Sequence, residues 1–254
     1  MAEEDDFHAQ KFASIYENGS WGGIATPRSG SGSTFQAALP YVETIQKIIS
    51  EQRIKVVLDI GHGDWEMWKY YKFENTQYIG IDVYAELTRE LEERHGTKTR
   101  KFYNLNAATQ ELPEADICIT KDVLQHLTDS DISKILTKMR NFEYLVICND
   151  FYQFKLSDTI RAIRRFASIR ERITRIQESK NPFFLKLKRT NSDIEIGSHR
   201  CIDLEDKKFA NYLSTHKLLS IKDFNGKETK RPHLIKRIYI YKKNDWGVLN
   251  DPKK

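Results

Sequence analysis

The sequence predicts an α/β fold, a doubly wound and mostly parallel sheet with helices on both faces. Three observations predict it. Five strand-like runs fall between Lys55 and Asp150, most of them separated by helical patterns, which is the rhythm of a parallel sheet. The first run, VVLDI, leads into the glycine-histidine-glycine turn Gly61–Gly63. Asp59, Asp82, Asn106, Asp122 and Asp150 fall at the carboxyl ends of the runs, where an open α/β sheet binds its ligand.

In chain order, residues 1–34 read as an irregular lead-in, because NGSWGG (Asn18–Gly23) and PRSGSGST (Pro27–Thr34) hold five of the chain's 12 glycines. A helix follows to about Gln52, with Pro40 suited to its first turn and Val42, Ile45, Ile48 and Ile49 at helical spacing. KVVLDI is a buried strand and DWEMWKYYKF the start of a helix. QYIGIDV (Gln77–Val83) is the second strand, and YAELTRELEERHG a helix closed by Gly96. KFYNL and ADICITKD are the next two strands. DSDISKILTKMRN is a helix capped by Ser130 or Asp131, and EYLVICND is the fifth strand. Beyond it, Ile160, Ile163, Phe166, Ile169, Ile173 and Ile176 form one stripe of a long amphipathic helix with arginines elsewhere. KRIYIYKK alternates like a strand at a sheet edge. The expected organisation is one domain: an N-terminal lid and helix (1–54), a ligand-binding core (55–150), a basic helical insertion (151–196), and a loop with C-terminal strands (197–254).

A chain of 254 residues buries a substantial core without staples. Its 30% of charged residues suit a soluble protein, and no apolar run approaches the ~20 residues of a membrane span. The acidic start MAEEDDFHAQ has no apolar signal region. Cys118, Cys148 and Cys201 make neither a disulfide framework nor a zinc pattern, so the expected compartment is the reducing cytoplasm. The net charge of +5 is mild but uneven, with basic residues clustered in Arg161–Arg189. The isoleucine stripe there needs burial, so packing on the domain or in a homodimer comes before nucleic acid or a membrane surface.

GHGDW is a phosphate- or nucleoside-binding turn in physical terms. Glycines at 61 and 63 permit the sharp turn and the approach of a ligand to the backbone, and a following helix would supply N–H groups and a positive dipole end. A dinucleotide fingerprint needs a third glycine, but Glu66 stands there and would repel a pyrophosphate. No G-K-[ST] follows, which excludes a P-loop. Asp82, 21 residues after Gly61, suits the two hydroxyls of a ribose. The combination fits a nucleoside without pyrophosphate, of which S-adenosylmethionine is the commonest. Asp59 and the glycine backbone would take its ammonium.

D-I-G-H-G-D-W, G-I-D-V, F-Y-N-L-N-A (Phe102–Ala107) and D-V-L-Q-H-L (Asp122–Leu127) resemble class I S-adenosylmethionine-dependent methyltransferases, over residues 55–150. The resemblance implies a Rossmann-like fold, with Asp59, Gly61, His62 and Gly63 at the methionine end and Asp82 at the ribose. Leu105 and Asn106 would lie at the adenine, Asn106 standing where many members have Asp. Arg28 and Ser31 of the lead-in and Lys121 complete the expected cofactor set, and S-adenosylhomocysteine would be the product. The segments Trp21–Thr34 and G-S-H-R-C-I-D-L (Gly197–Leu204) resemble a subgroup found beside surface-glycan genes in bacteria and large DNA viruses. That resemblance implies O-methylation of a sugar.

Transfer to a hydroxyl needs a general base. Asp122 and His126, if helical, share a face bordering the methyl group, and His199 is a rival. Asp150, His199 and Arg200, near Asp203, are candidates for holding the acceptor. Asp122, Asn149 and Asp150 are compatible with Mg²⁺, but hydrogen bonding without metal is the favoured reading, since the sequence places no further carboxylate. Trp65, Trp68, Tyr70 and Tyr71 are either a stacking platform or core. Methylation of RNA, protein or a small metabolite remains an alternative, as does a non-catalytic cofactor-binding subunit.

Overall fold

The computed structural model describes residues 2–23, 26–153, 190–225 and 234–244. One seven-stranded sheet organises them. Its strands are β1 (Val56–Ile60), β2 (Gln77–Asp82), β3 (Arg100–Asn104), β4 (Ile117–Lys121), β5 (Tyr144–Tyr152), β6 (His216–Phe224) and β7 (Leu234–Lys243). They stand in the order β3-β2-β1-β4-β5-β7-β6. β1 to β5 pair in parallel as the alternation of patterns predicts, and β7 runs antiparallel to both β5 and β6. The chain order reverses between β1 and β4, so a crevice opens above the carboxyl ends of these two strands.

Residues of β1 alternate between two cores because successive side chains point to opposite faces. Leu58 and Ile60 pack with Ile132, Ile135, Leu136 and Met139 of α4 (Asp129–Met139). Val57 packs instead with Tyr41, Val42 and Ile45 of α2 (Phe35–Gln52) and with Leu87 and Leu91 of α3 (Ala85–His95). Each such side chain contributes about 1.5–3 kcal/mol on burial, enough for two continuous cores to hold the sheet.

Several boundaries differ from the sequence expectation, each for a local reason. α2 begins at Phe35, capped by the Thr34 side chain accepting from Ala37 N, so Pro40 lies in the second turn rather than the first. Thr128, not Ser130 or Asp131, caps α4. Its hydroxyl accepts from Asp131 N at 3.2 Å and donates to Asp131 Oδ2 at 2.8 Å. Residues 2–17 form a helix, α1 (Ala2–Glu17), where an irregular lead-in was expected. No helix follows the glycine turn: residues 64–70 run through turns, with Trp65 left-handed at φ +59°. Trp65, Met67 and Trp68 are buried there, Trp68 wholly in the core and Trp65 at the wall of the cavity described below. β7 is interior rather than an edge, and the edge is β6, whose irregular burial hid it. A short helix, α5 (Lys207–Ala210), precedes β6. The expected basic amphipathic helix lies outside the described residues.

Candidate functional site

At the end of β1 the backbone turns sharply under β2. Gly61 and Gly63 take φ of +76° and +54°, and the Gly61 N–H donates to Ile81 O at 2.8 Å. A Cβ on Gly61 would stand 2.3 Å from Val123 Cγ2, and one on Gly63 would stand 2.4 Å from Ser29 Oγ. The bare backbone therefore makes room for neighbouring protein segments as well as for a turn. Asp82, at the end of β2, clamps it: Oδ2 accepts from Gly63 N at 3.1 Å and Oδ1 from Tyr84 N at 3.1 Å. His62 is buried beside it, with Nδ1 2.7 Å from Gly63 O and Nε2 3.2 Å from Thr88 Oγ1.

Above this turn lies a cavity of about 280 Å³, the size of a small-molecule site. Gly61, His62, Gly63 and Asp82 line it, with Leu105, Asn106, Lys121, Asp122, His126 and Ser31. Asp59 does not. Its parity along β1 aims it into the α2 side, where Oδ2 accepts from Trp68 Nε1 at 2.9 Å and Tyr78 OH at 2.7 Å. Burial pushes its pKa up to about 6. The expected ammonium ligand is a core carboxyl.

The far end of the cavity is polar. The Asn106 amide nitrogen donates to Asp5 Oδ1 and His8 Nδ1, both at 2.9 Å, while its oxygen accepts from Ala108 N. His8, Phe12 and Tyr16 of α1 form the roof with Trp21, four residues that sequence reasoning missed. Their spacing, 8-12-16, was the available signal. The serine-glycine segment lies across the glycine turn: Ser29 N donates to Asp64 Oδ2 at 3.1 Å, and Asp64 N donates back to Ser29 Oγ at 2.8 Å. Arg28 turns outward, pairing with Glu90 of α3 at 3.2 Å, and does not line the cavity.

Charged groups gather at the β4–β5–β7 side. Asp122, left-handed at φ +61°, meets Lys121 Nζ and Lys236 Nζ at 2.5 Å each. Lys236 also reaches Asp150 Oδ1 at 2.7 Å, because residues 150 and 236 face each other in the β5–β7 register. Burial alone would raise the Asp122 pKa, but the two lysines outweigh it and hold the carboxyl well below its ordinary range. Burial would likewise raise Asp150, and His199 at 2.8 Å with Lys236 brings it down. Lys236 lines the cavity, whereas Asp150 and His199 stand behind it. Among the described residues no group of three or more His, Cys, Asp or Glu is placed to hold a metal ion.

His126 reaches the cavity from a 3₁₀ turn (Leu124–His126), so it and Asp122 do not share a helix face as expected. Its Nδ1 lies 2.8 Å from Ser198 O. A carbonyl only accepts, so Nδ1 carries the proton and Nε2 the lone pair. Burial lowers the pKa to about 4, which leaves the ring neutral at pH 7. The loop 197–202 holds this turn, with Gly197 N donating to His126 O and Arg200 N to Gln125 O. Arg200 itself is fully buried, bonded to Asp129, Ser192 O and Leu127 O. It pins the loop to α4 and does not reach an acceptor, contrary to expectation. Asp203 also turns away, accepting from Tyr239 OH.

No protein-family model and no curated protein matches the chain. Solved structures do resemble it. Magnesium protoporphyrin IX methyltransferase from Synechocystis PCC 6803, with bound SAH, has a TM-score of 0.55 at 11% identity, covering 96% of this chain and 99% of that one. The N-methyltransferase NodS from Bradyrhizobium japonicum WM9 has a TM-score of 0.51 at 10% identity, covering 83% of this chain and 97% of that one. These likenesses establish the Rossmann-like α/β fold.

Proposed function

We propose that the protein is an S-adenosylmethionine-dependent O-methyltransferase acting on a sugar hydroxyl of a glycan. The observation that carries the reading is Asp82, a carboxylate in the cavity wall tied to the second glycine of the turn. With no helix behind that turn, the positive end that a pyrophosphate needs is absent, and a nucleoside without pyrophosphate loses nothing. Asp82 has lone pairs left for ribose hydroxyls, and Leu105 with the Asn106 backbone edges the adenine end. When bound, the cofactor supplies a methyl group activated on a positive sulfonium.

His126 is the base this geometry favours. Asp122 is ion-paired twice and too acidic to take a proton readily. The neutral His126 lines the cavity, and its Nε2 lone pair meets the Gln125 amide nitrogen at 3.3 Å, a long contact that an acceptor hydroxyl would displace. The acceptor hydroxyl would donate to Nε2 as its oxygen attacks. Lys236 and Asp122, a donor beside an acceptor, suit neighbouring hydroxyls of a sugar. The likeness of the lead-in and the 197–204 loop to the glycan-modifying subgroup supports the sugar over RNA, protein or a metabolite.

Titration calorimetry with S-adenosylmethionine and S-adenosylhomocysteine tests the cofactor. Micromolar binding by wild type, weakened at least about tenfold in Asp82→Ala, is expected from the loss of a charged hydrogen-bond acceptor. Absence of binding by folded wild type removes the reading. Once a glycan screen has found an acceptor, His126→Gln should lower kcat about 100-fold or more while leaving S-adenosylhomocysteine affinity within a few-fold. In wild type the acid limb should lie near pH 4, since His126 is neutral above that pH and protonated below it. An acid limb near 6.5 with an active His126→Gln would assign the base elsewhere.

A further inference from the structure

We propose that α1 is itself part of the cofactor site: the His8-Phe12-Tyr16 face closes over the bound cofactor, and α1 must lift for it to enter or leave. The proposal rests on the cofactor reading above. The three side chains are spaced i, i+4, i+8, which puts them on one face along about 12 Å of helix. All three are at least nine-tenths buried, and all three line the cavity.

The polar contacts of the helix's cavity face lie at its two ends, while Ile15 packs beside the Gly197 loop. At the first end, Asp5 and His8 take both hydrogen bonds of the Asn106 amide nitrogen, Thr109 donates to Asp5, and His8 Nε2 stands 3.5 Å from Asp131 of α4. At the other end the Tyr16 ring stacks on Tyr84 at 5.3 Å, and its hydroxyl lies 3.4 Å from Ser29 Oγ. Phe12, midway, has no polar fastening. Its ring meets Trp21 at 5.8 Å, and Trp21 in turn covers His126 at 4.7 Å. About a third of a turn round the helix from that face, Phe7 is 57% exposed.

Polar latches at the ends with apolar rings between them suit a cover that opens as a unit. They also match the ligand. A nucleobase stacks on an aromatic face and a sulfonium is attracted to one, while the floor offers backbone and the Asp82 carboxylate. A ligand held against α1 stabilises the docked helix, and by reciprocity whatever undocks α1 weakens the ligand by the same factor. Trp21 extends the coupling to the base, so closure over the cofactor also fixes the indole that lies tilted against His126.

The test uses full-length wild type, Phe12→Ala, Phe12→Leu and Phe7→Ala. S-adenosylhomocysteine affinity is measured by calorimetry, and amide hydrogen exchange of residues 5–17 is followed with and without that ligand. The expected result is slower exchange across α1 on binding, an affinity loss of about tenfold or more in Phe12→Ala, and no change in Phe7→Ala. Phe12→Leu keeps apolar volume and should lose affinity by a smaller factor, even if the alanine variant undocks α1 outright. If wild type binds the ligand while α1 exchange and both Phe12 variants stay unaffected, the proposal is overturned and the cofactor reading stands. If wild type binds none, both fall together.

Discussion

At Asp59 a carboxyl group sits with no exposed surface, one oxygen holding Trp68 and Tyr78 and the other without a partner. Burial makes the charged form costly, so the folded protein holds this proton more tightly than the unfolded chain. Its contribution to stability therefore falls as pH rises from the ordinary aspartate range through about 6, and stays lost above that. Asp59→Asn removes the titration. Urea denaturation of both proteins at pH 4 and pH 7 should find the variant gaining about 2 kcal/mol on wild type between the two, whatever its offset at pH 4. A constant difference would mean that the carboxyl is not buried as described. The same variant should bind S-adenosylhomocysteine within a few-fold of wild type, because Asp59 faces Tyr78 and Trp68 and not the cavity. The residue's place in the D-I-G-H-G pattern suggested a ligand, and only the parity of β1 reveals otherwise.

At the scale of elements, the turn after β1 and the turn after β4 are fitted to each other. Gly61 is left-handed, and a Cβ there would overlap Val123, the residue just before the 3₁₀ turn that carries His126. Gly61→Ala should therefore cost at least about 2 kcal/mol, combining left-handed strain with overpacking. Gly23→Ala is the control, since nothing lies within 4 Å of a Cβ built there. Thermal melts should also find that Val123→Ala restores part of the loss in the double variant, leaving the strain alone. Full additivity would contradict the contact. Two loops thus share one packing point, and the 3₁₀ turn that carries His126 is tied to the glycine turn after β1.

For the whole molecule, what the sequence made legible is what periodicity and turn chemistry encode locally. The parallel core β1–β5 followed from apolar runs alternating with helical patterns, and Asp82 from its distance to the glycines. What stayed hidden depends on long-range partners. α1 looked irregular because glycines crowd just after it, and among its described side chains three are buried, one of them a histidine. β6 lacks alternation because an edge strand is only partly covered. The helix expected at DWEMW failed because burying Trp65 and Trp68 outweighed helical regularity. Lys236 carried no local signal; only the pairing of β7 with β5 sets it against Asp150. That pairing also has a bearing on how the molecule is made. β7 comes after β6 in the chain but stands inside the sheet, between β5 and β6. During synthesis the outer edge of β5 therefore waits, unpaired and apolar, until residues 234–243 have emerged, while Asp122 and Asp150 wait for their shared cation. The nascent chain can assemble the floor of the cavity early, yet the Lys236 side of the cavity is completed only once β7 has been made.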